Sequence, residues 1–407
     1  MNLTERSKSQ NFFLILMMGA LNTITPISID MYLPAFPRIA ADMHTNIGNV
    51  ALSVSTYFLG FSIGQILYGP LLDRFGRRRP LYIGLSFYIF ATIGCALCNS
   101  IEMLWIIRFI QALSGCVASI AAMAMVLDFF PAHKSARIFS LLILILGVSP
   151  LLAPSVGSFI IAILNWRFVF ITLAAIALIV LVLVFFFLPE GHQPDKTVSL
   201  MPRPIINGFK EILMTRQFYV YALAGSFSFA GLFVYVAGSP DIFMGEFHVG
   251  PKVYGGIFAG LSIGFIGSSQ INHWLTLRFK NEEILKFVVI IQSIMGIIFL
   301  IGVWNGWCGL AATIGFLFIL LACCGLAYPN AAALALNPFK KNAGSASALL
   351  GFLQIGVGGV ISAGVGALHY KGTLSTAAIM AVSAGTALLI LMTGGKQKMM
   401  QAGPSVH

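Results

Sequence analysis

Apolar residues run along the chain in stretches long enough to cross a bilayer, each broken by a short polar or basic segment. A spanning helix needs about 20 such residues, and twelve stretches reach or approach that length. They are 12–33, 50–72, 81–99, 103–127, 138–164 and 168–188, followed by 218–243, 253–275, 284–304, 308–336, 343–368 and 374–392. The pattern predicts an all-α membrane protein of twelve transmembrane helices. The first stretch is too long for the core of a signal peptide and lacks a clear cleavage site, so it is read as a retained span.

The longest polar stretch, 189–217, holds Pro189, Pro194, Pro202 and Pro204 among charges and reads as a cytoplasmic linker. It divides the chain into two six-helix halves, 1–188 and 218–407. The halves resemble each other: 60–64 reads GFSIG in the second span, and 260–264 reads GLSIG in the eighth. Both segments hold the same place in their half, as the parallel repeats of a transporter require. Gly256, Gly260 and Gly264 are spaced four apart, which predicts close approach of a neighbouring helix.

Composition narrows the function classes. The 407 residues are 58% hydrophobic and 9% charged, with a mean hydropathy of +0.92; soluble domains carry about 25% charged residues. A soluble enzyme is excluded. The net charge of +11 would suit nucleic acid if the basic residues formed one patch, but they recur between the spans. With the amino terminus placed inside, all but five fall on the cytoplasmic side. Arg38, Arg167, Lys252 and Lys371 lie outside, and Arg108 lies within a span. This is the positive-inside pattern of a multi-pass protein with both termini cytoplasmic. No nucleic-acid partner is expected. The six cysteines all lie in apolar spans, and Cys95 with Cys98, though spaced CxxC, has no metal-ligating company. No metal or other cofactor is expected.

Ionisable side chains inside a span cost about 2.5 to 3.5 kcal/mol at its centre and mark function. Two stand out. Asp30 lies near the outer end of the first span and Arg108 near the outer end of the fourth, so both sit within about 5 to 10 Å of the same boundary. They either meet, as a carboxylate whose proton affinity an arginine tunes, or each reaches separately to the membrane surface. The second half carries almost no span acid. Candidate substrate contacts are the polar and aromatic side chains Asn22, Gln111, Phe227, Tyr235, Tyr328 and Gln354, a composition suited to a small-molecule pocket. No phosphate-binding loop is present, so ATP is not the expected energy source.

At the inner end of the second span the chain reads Gly69-Pro70-Leu71-Leu72-Asp73-Arg74-Phe75-Gly76-Arg77-Arg78-Arg79. This resembles the signature loop of the major facilitator superfamily. The resemblance implies a cytoplasmic gate of Gly69, Asp73, Gly76, Arg77 and Asp128. In it the acid Asp73 faces the start of the eleventh helix, 342–345, and a basic residue meets Asp128 at the end of the fourth. Arg108 to Gly115 is similar to the family's fourth-helix motif, whose arginine is implicated in proton transfer. Gly147, Pro150, Pro154 and Gly157 are similar to its antiporter motif, with Ala153 where glycine is common. The runs 30–37, 239–240 and 343–348 resemble the bicyclomycin and chloramphenicol resistance (Bcr/CflA) subfamily. That resemblance implies a monomeric drug:proton antiporter of the bacterial inner membrane, with small, largely apolar compounds and protons as partners and Asp30 and Arg108 coupling the proton. His273 stands at the repeat position of Asp73, so an asymmetric gate is expected. Two other readings remain open: a dedicated exporter or importer of a single metabolite, and an intramembrane enzyme, for which His273 and His369 have no catalytic company.

Overall fold

The structure is a computed structural model that describes residues 8–130, 132–189, 194, 202–339, 343–368 and 372–394. Both termini lie outside the described residues. Fourteen α-helices are described and no strand is described: α1 (Lys8–Asp30), α2 (Phe36–Asp42), α3 (Ile47–Phe75), α4 (Arg78–Leu97), α5 (Ile101–Phe129), α6 (Ala132–Ile163), α7 (Arg167–Phe187), α8 (Pro202–Met214), α9 (Arg216–Pro240), α10 (Pro251–Leu275), α11 (Asn281–Trp304), α12 (Leu310–Leu336), α13 (Ala343–Ala367) and α14 (Gly372–Gly394). Each of the twelve expected spans corresponds to one of the long helices. Ten are long and apolar enough to cross a membrane by length and composition; α6 contributes the apolar stretch Val148–Ile163, and α10 is long enough but less apolar.

Local chemistry sets the ends of these helices. Asn46 caps α3 by accepting from the Asn49 amide at 2.7 Å, and Ser100 caps α5 by accepting from Met103 at 3.2 Å. Proline stops α1 from running on: a 3-10 turn, Leu33–Ala35, follows it and leads into the short α2. The linker is not wholly irregular, because it holds α8. Ile212 of α8 is buried with Phe218, Ala346, Leu349 and Leu350, which fastens the helix to α9 and α13.

The repeat seen in sequence is a repeat of packing. In the first group α3 packs on α5, α4 on α5 and α7, and α1 on α5; in the second, α10 packs on α12, α11 on α12 and α14, and α9 on α12. Gly64 of α3 lies against Cys116 of α5, and its repeat counterpart Gly264 of α10 lies against the Phe318 ring of α12, a close approach to the corresponding helix in both copies. Gly256 and Gly260, expected to share in it, meet no neighbour among the described residues.

Contacts between the two groups are also paired: α3 runs along α13, and α6 along α10. They are tightest at the end away from Arg77. There Ser55 and Ser362 share a hydrogen bond of 2.9 Å, and Ser158 donates to the Pro251 carbonyl at 3.0 Å. The Phe58 and Phe233 rings meet edge to face at 4.5 Å, and the Gly48 and Gly366 backbones touch. Toward the Arg77 end a cavity remains between the groups.

Candidate functional site

Arg108 is completely buried in α5 and has no acidic partner among the described residues. Its guanidinium lies in an aromatic box, 4.3 Å from the Tyr57 ring, 4.9 Å from Tyr32 and 5.8 Å from Phe170. Each desolvated cation–ring contact is worth about 2 kcal/mol, so ring faces supply much of the stabilisation that a carboxylate would. One arm donates to Gln111 Oε1 at 2.7 Å, while Nε and Nη2 find no hydrogen-bond acceptor. Gln111 Nε2 donates to Thr92 at 2.8 Å. Both ends of this amide are therefore engaged, and Gln111, expected to touch substrate, instead holds Arg108 to α4. A neighbouring link joins α4 to α1: the Tyr88 and Ser28 hydroxyls lie 2.5 Å apart.

Asp30 ends α1 and is also buried. No hydrogen bond or ion pair reaches its carboxyl from the described residues, so the possible meeting with Arg108 is not made. Its chain neighbours Ile29 and Met31 pack instead in one hydrophobic cluster with Tyr235 of α9 and Tyr254 of α10. Tyr235 stacks on Phe258 at 5.3 Å and its hydroxyl has no partner among the described residues, whereas the Tyr254 hydroxyl shares a hydrogen bond of 2.9 Å with Ser239. Asp30 thus sits where the two groups close, addressed by tyrosines of the other group.

The cavity between the groups has a volume of about 420 Å³. Asn22 lines it, as expected. Thr25, Gln65 and Ser119 line it too and were not singled out from the sequence; the signal was the Asn22–Thr25 spacing, two polar groups one helical turn apart in an apolar span. Tyr328 belongs to a ladder of rings that crosses between the groups: Tyr328 to Phe229 at 4.6 Å, Phe229 to Phe233 at 5.4 Å, and Phe233 to Phe58. Gln354 is buried with its Nε2 unpartnered, outside this lining. Phe227 packs against the buried cluster that includes Ile284, Val288 and Leu391, so its place is in the second group's own core.

At the other end of α3, Arg77 joins two acids. It donates from Nε to Asp128 at 2.8 Å and from Nη1 to Asp73 at 2.8 Å. Burial alone would lower the Arg77 pKa, and the hydrogen bonds to Asp128 and Asp73 hold it above the usual value instead. Gly76 supplies the turn with φ +78°, a left-handed conformation that disfavours other residues. Gly69 borders the cavity. Asp73 is half exposed and pairs with Arg77; Asn342, at the start of its expected contact with α13, lies outside the described residues. Asymmetry is visible here: the second group has a neutral pair in the comparable place between α10 and α12, Asn330 donating to Asn272 at 2.6 Å.

The antiporter-like motif shapes α6. Gly147, Pro150, Pro154 and Gly157 all lie within it. Gly157 packs on the Met31 carbonyl so closely that any side chain would collide with backbone. The motif thereby brings α6 against the segment that follows Asp30, and its next residue, Ser158, makes the hydrogen bond to Pro251.

The model of the Major Facilitator Superfamily matches residues 18–363. The chain is 30% identical over 374 residues to the uncharacterized MFS-type transporter YdgK of Bacillus subtilis, covering 91% of this chain and 92% of that one. It is 26% identical to the bicyclomycin resistance protein homolog of Haemophilus influenzae, covering 94% and 95%. It is 28% identical to the multidrug resistance protein MdtL of Escherichia coli, covering 83% and 84%. Among solved structures, a bacterial homolog of the human lysosomal transporter Spinster, inward-facing and unoccupied, matches with TM-score 0.69 at 14% identity over 96% of both chains. The D-xylose–proton symporter matches with TM-score 0.68 at 15% identity, over 97% of this chain and all of that one. With a family model matched over residues 18–363 and a relative 30% identical over nine-tenths of both chains, the chain belongs to the major facilitator superfamily, whose members are transporters and not enzymes.

Proposed function

We propose that the protein exports small molecules in exchange for protons by alternating access, as a monomer in a bacterial inner membrane. Its moving units are residues 1–188 and 218–407, joined by 189–217. The Arg77 end faces the cytoplasm on the positive-inside argument, with both termini on that side. The cavity is then reached from the cytoplasm, and the sealed end is the periplasmic gate.

The observation that carries this reading is Asp30, the one acid fully buried among the described residues, set without a partner in the closed gate. An ionised carboxylate there would be an uncompensated buried charge, which is strongly unfavourable. A proton on Asp30 therefore favours the closed periplasmic gate, and its loss favours reopening. Arg108, held in its aromatic box, keeps a fixed positive charge over the ring of Tyr32, two residues beyond Asp30. The names of relatives, bicyclomycin resistance and multidrug resistance, support export of drug-like compounds.

Purified protein in proteoliposomes with an internal pH dye tests the proposal. Adding a transported drug, with bicyclomycin as the first compound tried, should move protons in the opposite direction. Drug flux with no proton movement, or proton movement in the same direction, would reject antiport.

A further inference from the structure

Two of the four basic residues that the charge pattern leaves outside, Arg38 and Arg167, meet in one place. They wall an open cavity of about 450 Å³ with Ala41, Asp42, Asn165 and Trp166. It lies at the sealed end of the bundle, in the corner where α2 meets the end of α6 and the start of α7. Arg38 and Asp42 stand one turn apart on α2 and so share a face. Arg38 Nη1 donates to the Ile161 and Leu164 carbonyls where α6 ends, a place where helical carbonyls lack partners of their own. Arg167 Nη1 donates to Asp42 Oδ2 at 2.6 Å, and the Trp166 indole donates to the same oxygen at 2.9 Å.

Asp42 offsets Arg167. Arg38 has no acid to offset it among the described residues, and its Nε and Nη2 make no hydrogen bond there. The corner therefore carries one net positive charge, which matches a monoanion, while Asp42 disfavours a dianion. The approach to it is apolar. Leu152, Val156, Phe159 and Ile163 are all exposed, and their spacing of three and four residues draws a single stripe along α6. That stripe ends beside Leu164, whose carbonyl Arg38 holds, and exposed Phe168 and Ile171 continue the apolar surface on α7. A soluble anion has no use for such a stripe. A ligand that fits both parts is a monoanion at one end and a hydrocarbon chain at the other.

We propose that this corner is a lipid site: it holds the phosphodiester of an anionic phospholipid such as phosphatidylglycerol, in the leaflet at the sealed end, with Arg38 and Arg167 on the phosphate and an acyl chain along the α6 stripe. Guanidinium groups match phosphate oxygens in forked pairs, and the cavity lies within the roughly 300 to 1,000 Å³ of small-molecule pockets. A zwitterionic lipid brings its own ammonium beside Arg38 and is held less well. Occupancy fastens α2 to the corner of α6 and α7. Since Gly157 of α6 already packs on Met31, the lipid is a second hold on the segment that follows Asp30. The inference needs the chain to span a membrane; it does not need export.

Native mass spectrometry of the full-length protein tests this, starting from lipid-free protein in dodecyl maltoside and titrating dioleoylphosphatidylglycerol or dioleoylphosphatidylcholine. Basic loops at the other end also attract anionic lipid, so the reading is a difference between variants. At matched concentration Arg38→Gln should carry one phosphatidylglycerol fewer than the wild type and need about ten-fold more lipid to regain it, the scale of one lost charge-assisted contact. Arg38→Glu should not regain it. Lys252→Gln, which removes an exposed basic residue elsewhere on the same side, should bind as the wild type does. Phosphatidylcholine counts should agree in all four proteins. Glycerophosphoglycerol, the same headgroup without chains, should neither bind nor compete at the lipid's concentration. Phosphatidylglycerol should raise the melting temperature of the wild type more than that of Arg38→Gln, with equal values before lipid is added certifying the fold. Equal phosphatidylglycerol counts in the wild type and Arg38→Gln, or the same loss in Lys252→Gln, would overturn the proposal. A wild type that binds phosphatidylglycerol no better than phosphatidylcholine would overturn it whatever the variants do, and binding of glycerophosphoglycerol alone would replace the lipid with a soluble anion.

Discussion

Asp30 and Tyr235 are buried together where the bundle closes, Ile29 and Met31 on either side of Asp30 sharing one hydrophobic cluster with Tyr235 of the other group, and neither the Asp30 carboxyl nor the Tyr235 hydroxyl has a hydrogen-bond partner among the described residues. A buried acid with an unsatisfied hydroxyl near it is a poor way to build a static interface. It is a good way to make an interface sensitive to a proton.

Asp30→Asn keeps the shape and removes the charge. Substrate-driven proton movement should fall at least ten-fold, while the melting temperature in detergent stays level or rises, because a neutral amide is less costly than a carboxylate in the same apolar gate. Retained proton exchange at near wild-type rate would show that another group carries the proton.

The aromatic box predicts a graded series at Arg108. Tyr57→Phe keeps a ring face and should be close to neutral, whereas Tyr57→Leu removes it and should destabilise by about 2 kcal/mol. Arg108→Lys keeps the charge but loses planar stacking and the hydrogen bond to Gln111, so export should survive only in part. Urea unfolding paired with flux measurements separates these effects; equal behaviour of the two Tyr57 variants would dismiss the box.

Arg77 serves two acids of unequal burial, Asp73 with a side chain 52% exposed and Asp128 with one 12% exposed. Removing the arginine strands the less exposed acid, so Arg77→Ala should cost roughly 3 kcal/mol or more. Asp73→Asn should cost at most about 1 kcal/mol after solvent screening. Since its two acids hold the Arg77 proton above the usual value, neither effect should change between pH 5 and pH 9. Equilibrium denaturation at those two pH values checks both the ranking and its pH independence.

Ser55 and Ser362, joined at 2.9 Å across the gate, invite a direct test of motion. Cysteines at both positions, in a background lacking the six native ones, should cross-link under mild oxidation. Transport should stop and return on reduction. A cross-linked protein that still transports would mean that this end does not open.

With a single buried acid among the described residues, one proton entering while a neutral molecule leaves moves one net charge. Both the pH gradient and the membrane potential should then drive neutral cargo, the potential by about 2.3 kcal/mol per 100 mV. Vesicles in which each component is collapsed separately report this; neutral export indifferent to potential would contradict a one-proton exchange.

Much of this was legible in the order of residues, because lipid imposes a coarse rule: each crossing needs an unbroken apolar run, and Asp30 and Arg108 are conspicuous against it. The repeat was also visible in its glycines. What could not be read was pairing. Helical periodicity says on which side of a span Gln111 lies, but not that Thr92 of α4 and Arg108 use up both ends of its amide. Nor does it say that Phe227 faces the second group's core while Phe229 and Phe233 join the ladder. Those choices depend on the rotation of each helix about its axis, which twelve similar apolar spans leave undetermined. Thr25, Gln65 and Ser119 were overlooked for a related reason: small hydroxyls and amides satisfy themselves within many membrane helices, and only their orientation toward a void singles them out.

The attachment of α8 to α9 and α13 bears on how the chain is strung. Fourteen residues, 188–201, separate α7 from α8, and at about 3.3 to 3.6 Å per residue such a length can span at most about 50 Å. Cutting the chain between α7 and α8 should therefore leave α8 with the second group, to which Ile212 fastens it.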